Sequence, residues 1–242
     1  MKTDFKLSNL KYLILGAGVI GFFLQRMLYR TGMDEKGLLI SGHWAQIALL
    51  VLSAAVLAAI YRSTRALQTP KEIPAAVSIS GGIGCLLGAA ALFIKLPVPP
   101  MGPDRLYVME QYFSTAAQLI FCALAFFCFA GKKTPFPLHG ILCLYLAVRA
   151  VGQYRFWSSV PQLMDYAFFL LAHVALMLSA YQLAAWNAGF GDLKKLWRWG
   201  LTALYLCCSC SCSPSNRIFL LLFGIWLFTS LPAPRQNSDD PQ

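Results

Sequence analysis

Long apolar runs separated by short polar intervals set the pattern of this chain, over residues 10–29, 43–61, 75–94, 107–130, 136–152, 162–186, 199–213 and 217–231. Crossing the hydrocarbon core of a bilayer as a helix takes about 20 mostly apolar residues. The pattern therefore predicts eight helices, most of them membrane spans. The last two runs hold only about 15 residues, short of the usual span, and Pro214 separates them. A pair of short spans and a shallow re-entrant hairpin are both open there, and either returns the chain to the side it left.

Composition agrees with the pattern. Of 242 residues, 58% are apolar and 12% charged, about half the charge of soluble globular domains. The expected fold is an all-α polytopic transmembrane helix bundle of about eight spans, a single domain over residues 1–235 with a disordered polar tail at 236–242. Lys2, Lys6 and Lys11 precede the first run in the manner of a signal peptide, but no small-residue cleavage pattern follows before Arg26. An uncleaved first span is expected.

The net charge is +10. In a soluble chain that would point to nucleic acid, but no nucleic-acid-binding pattern accompanies it, and Lys and Arg collect in the cytoplasmic loops of membrane proteins. With the N-terminus inside, Lys2, Lys6, Lys11, Arg62, Arg65, Lys71, Lys132, Lys133, Lys194, Lys195, Arg198 and Arg235 are cytoplasmic, twelve of the twenty basic residues. Both termini are then expected in the cytoplasm. The segment 186–199, with Lys194, Lys195 and Arg198 among Trp186, Trp197 and Trp199, reads as an interfacial stretch between the sixth and seventh spans.

Several motifs invite chemistry. Gly16-Ala17-Gly18-Val19-Ile20-Gly21 matches the dinucleotide fingerprint, but Phe22, Phe23 and Leu24 prolong one apolar run and no second strand–helix unit follows. Close helix packing explains these glycines better, and no cofactor is expected. Gly189-Phe190-Gly191-Asp192 resembles the G-x-G-D motif of intramembrane aspartyl proteases. That chemistry needs two carboxylates sharing a proton, and no second acid is expected on the same face, so Asp192 reads as a helix N-cap. Cys207, Cys208, Cys210 and Cys212 are numerous enough for a metal, yet on a helix they form two diverging pairs with no histidine nearby. No metal site is expected. His43, His139 and His173 lie on three different spans. His173, near mid-depth of the sixth, is a candidate relay, or a hydrogen-bonded packing residue.

The strongest polar signal lies at the outer ends of the spans: Arg26, Arg30, Asp34 and His43 on the first hairpin, Glu110 on the fourth span, Arg149 on the fifth and Asp165 on the sixth. These are the candidate ligand-binding residues; interfacial anchoring is the alternative. Arg149 stands twelve residues after Pro137, about 18 Å along a helix. Its charge needs a partner below the headgroups, with Asp165 the first candidate and Glu110 the second.

The stretch Leu28-Tyr29-Arg30-Thr31-Gly32-Met33-Asp34-Glu35-Lys36-Gly37-Leu38-Leu39, with Gly42-His43 beyond, resembles uncharacterised multi-pass membrane proteins of Gram-positive anaerobic bacteria. The resemblance implies a bacterial cytoplasmic membrane and carries no activity or residue role. The expectation is a non-catalytic membrane binding, sensory or accessory component with an outward-facing polar pocket. Its expected partners are the lipid bilayer, a small anionic or zwitterionic ligand and another membrane protein, with no nucleic acid. A small-molecule transporter is the alternative, and a membrane-embedded enzyme comes third.

Overall fold

The computed structural model describes residues 4–32, 40, 42–65, 79–93, 105–158, 163–212 and 217–232, without the side chains of 4–8, 156–158 and 163–166. Its regular structure is helical: α1 Asp4–Thr31, α2 Trp44–Arg65, α3 Ile79–Ala91, α4 Arg105–Phe129, α5 Phe136–Ser158, α6 Leu163–Asn187, α7 Leu193–Cys210 and α8 Arg217–Ser230. Five of these, α1, α2, α4, α5 and α6, are long and apolar enough to cross a membrane. The expected all-helical, multi-pass architecture stands at that level. Large apolar side chains also cover the outside, among them Leu13, Ile20 and Phe23 on α1, Val51 on α2, and Leu119 and Phe126 on α4. Apolar exteriors of this extent suit lipid and not water.

Consecutive helices run in opposite directions. Contacts fix this along the chain: Cys143 of α5 meets Met177 of α6 while Arg149 meets His173, and Gly88 and Gly82 of α3 lie on Phe121 and Phe129 of α4. One end of the bundle gathers Lys11, Arg198 and the carboxyl end of α8. Thr64, near the end of α2, is there too, bonded by Arg198. The other end holds Glu110, Arg149 and Arg217.

Helices α4, α5, α6, α7, α8 and α3 form a closed ring in that order, with α3 packed back on α4. Outside the ring, α1 and α2 pack on α7 and on each other. Helix α7 thus has α1, α2, α6 and α8 around it, and every residue from Gly200 to Cys207 is buried. This stretch of α7 carries no charge on any side, and such a segment belongs in the centre. Gly18 and Gly21 allow the approach of α1: a Cβ on Gly18 would lie 2.6 Å from Cβ of Cys208, and one on Gly21 would collide with Ser209. The glycines of the dinucleotide-like motif thus sit mid-helix, two of them against α7.

The start of the seventh helix differs from the one expected. Helix α7 begins at Leu193, not near residue 199, and Leu193, Leu196 and Trp197 are buried. The physical reason is amphipathicity: Lys194, Lys195 and Arg198 lower the average hydropathy of these turns, while one apolar face continues unbroken into Gly200 and Leu201. Asp192 is the N-cap, its Oδ1 accepting from the Lys194 N–H at 2.9 Å. It follows a turn through Gly189 at φ +89°, a conformation glycine adopts freely. Helices α7 and α8 pack antiparallel along their lengths, with Gly200 on Leu231, Gly224 on Cys207, and Arg217 on Cys212.

Candidate functional site

Spacing on α5 puts Tyr145, Arg149 and Gln153 on one face, because residues four apart stack on a helix. All three are buried. The same spacing on α6 aligns Phe169 with His173. These faces meet Glu110 of α4 and Phe219 of α8. Arg149 is 3% exposed, Glu110 5% and His173 0%.

The Arg149 guanidinium organises the group. Nη1 donates to Glu110 Oε1 at 3.3 Å and to Tyr145 Oη at 3.2 Å, and Nε donates to His173 Nε2 at 3.4 Å. Its Cζ lies 3.9 Å from the centre of the Phe219 ring, within cation–π reach. The His173 ring stacks on Phe219 at an interplanar angle of 6°. With Nε2 accepting from Arg149, the imidazole carries its proton on Nδ1, which donates to the Phe169 carbonyl at 3.0 Å. That tautomer follows from the bonding pattern.

Glu110 depends on a missing side chain. A Cβ on Gly152 would lie 2.8 Å from Glu110 Oε2, so glycine leaves the carboxylate its space. Glu110 and Arg149 neutralise each other where an unpaired charge would be costly. Their 3.3 Å separation is longer than the 2.7–2.9 Å or so of a compact charge-assisted bond. The cluster offers a cation, a carboxylate and a neutral imidazole within one small volume. A guanidinium pairs with carboxylates or phosphates and a carboxylate with ammonium ions; here each is paired with the other. His173 Nε2 faces Arg149, not a hydroxyl or thiol, so the ring is not arranged as the base of a nucleophile.

The other expected site residues fall elsewhere. Arg26 and Arg30 are exposed on α1, outside the ring. His43 stands before α2, with Nε2 3.4 Å from Thr31 Oγ1 and Nδ1 accepting from the Ala45 N–H at 3.3 Å. These contacts tie the α1–α2 hairpin together, and none among the described residues reaches Arg149. Asp34 and the Asp165 side chain lie outside the described residues. Glu110, the second candidate, is thus a partner of Arg149. Sequence reasoning missed Tyr145, Gly152 and Phe219. Tyr145 was within reach, four residues before a buried arginine, but nothing local marks Phe219 or Gly152.

Of the four clustered cysteines, Cys207 and Cys208 meet different helices, and Cys212 lies beyond the end of α7. Cys208 faces Gly18 of α1 and Cys207 faces Gly224 of α8. All four are free thiols, and no group of three or more potential metal ligands occurs among the described residues.

No protein-family model matches the chain, and no curated protein or solved structure matches it.

Proposed function

We propose that this protein is a non-catalytic binding or sensory component of a bacterial cytoplasmic membrane, with eight spans, both termini in the cytoplasm, and a ligand that meets the Arg149–Glu110–His173 cluster from the outer side. The observation that carries the reading is the buried Arg149–Glu110 pair, bonded in turn to His173. Burying ions is costly, and well-packed apolar residues often replace such pairs with no loss of stability. A bilayer protein that keeps the pair has a use for it. The basic end, with Lys11, Lys194, Lys195 and Arg198, suits the cytoplasmic face, which sets the cluster toward the outside. The ligand that fits is small and anionic or zwitterionic.

The test is thermal unfolding of the purified protein in detergent with acetate, glycine, glutamate and inorganic phosphate. A ligand that binds only the folded state raises the melting temperature saturably. At least one of these is expected to do so, and the paired neutral variant Glu110→Gln/Arg149→Gln is expected to lose the response. If none raises it, the cluster is a packing element. Proteoliposomes separate the transporter alternative: the binding reading expects no uptake of the stabilising ligand, and Arg149-dependent uptake would replace it with transport.

A further inference from the structure

A second feature, an apolar cleft along α8, has a cation fixed at its end remote from Arg149. Helices α1, α7 and α8 enclose a cleft of about 180 Å³, lined by Leu15, Cys208, Leu221, Gly224, Ile225 and Phe228 among others. Its lip is open, because Leu221 and Ile225 are exposed. Lys11 sits one helical turn before Leu15, and its ammonium donates to the carbonyls of Leu231 at 3.1 Å and Phe228 at 3.4 Å. The Phe228 ring, which lines the cleft, is 5.5 Å from the same ammonium. A cation is thereby held at the Phe228 end of the cleft.

We propose that this cleft binds one acyl chain of an anionic glycerophospholipid, with the lipid phosphate on Lys11. Four points carry this, and it rests on the membrane reading above. The cleft is too small for a partner helix, whose diameter with side chains is about 10 Å. From Leu221 to Phe228 it follows α8 for about 10 Å at 1.5 Å per residue, roughly two thirds of one leaflet of a ~30 Å hydrocarbon core, so it takes the headgroup-proximal part of an acyl chain. An ammonium has three donors, of which the two carbonyls take two, and the Trp197 and Phe228 rings lie 4.9 and 5.5 Å from it. Lys194, Lys195 and Arg198 on the first turns of α7 add positive charge at the same end of the bundle. Basic clusters of this kind favour anionic over zwitterionic lipid.

The experiment uses the delipidated full chain in detergent, titrated with phosphatidylglycerol and with phosphatidylcholine of the same acyl chains, bound lipid being counted by native mass spectrometry. Phosphatidylglycerol is expected to bind saturably and at least fivefold more tightly. Lys11→Gln should abolish that preference. Ile225→Trp, which fills the lip from an exposed position and does not disturb the core, should weaken both lipids. Glycerol phosphate, which has no acyl chain, should not bind. Equal binding of the two lipids by the native chain, a preference unchanged in both variants, or glycerol phosphate binding as well as the lipid would each overturn the site. None of those outcomes touches the Arg149 cluster. A chain that stays monodisperse in water without detergent would instead remove the membrane reading itself.

Discussion

Lys11 and Leu231 are 220 positions apart, and a 3.1 Å hydrogen bond from ammonium to carbonyl joins them. The bond lies just beyond the carboxyl end of α8, where helical carbonyls lack amide partners and a cation complements the dipole. The device recurs. Arg217 donates to Ser211 O at 3.2 Å and Cys212 O at 3.3 Å beyond the end of α7, whereas Arg198 joins α7 to α2 through a side chain, Thr64 Oγ1, at 3.4 Å. In the first two cases the cation and the helix end belong to different elements or to opposite sides of a turn, so the caps also tie the bundle together.

Lys11→Met should therefore lower stability by about 1–2 kcal/mol, the upper part of the range for a cation at a partly buried helix end. Lys11→Arg should retain most of it. Thermal unfolding in one detergent, with lipid content held constant, checks the pair. Equal melting temperatures for the native protein and Lys11→Met would show that the carbonyls do as well with water.

Removing one member of the Arg149–Glu110 pair leaves the other charge buried. Arg149→Ala and Glu110→Ala should each cost about 3–5 kcal/mol, and the double variant less than their sum, because it leaves no lone charge. Gly152→Ala tests the geometry without touching either charge. Its added Cβ displaces Glu110 Oε2, so the variant should destabilise the native chain and have much less effect in a Glu110→Ala background. An equal cost in both backgrounds would mean that Gly152 matters for some reason other than the carboxylate.

Reporter fusions decide the orientation. Truncation after Lys133 should leave a cytoplasmic reporter active and an exported one silent, with the reverse after Arg155. An exported reporter active after Lys133 would invert the topology. If only a fusion at Gln242 falls on the wrong side, α7 and α8 supply one crossing and not two.

Helix identity was legible in the sequence because it is a local property. A run of apolar residues in lipid satisfies its backbone groups only as a helix, and Asp192 after its glycines was readable as a cap because capping involves neighbours in the chain. Hydropathy averaging failed at the start of α7, where three basic residues share two turns with a buried apolar face. That Arg149 required a counter-charge was also legible, from its distance along α5 alone.

Which residue answers it was a tertiary matter. Glu110 becomes the partner because α4 and α5 run antiparallel in contact and Gly152 clears the carboxylate's space, relationships between elements that no periodicity encodes. The central place of α7 and the closure of the ring by α3 on α8 are of the same kind. An apolar face specifies that it must be covered; the shapes of the competing faces, small residues such as Gly18 and Gly21 against Cys208 and Ser209, decide what covers it.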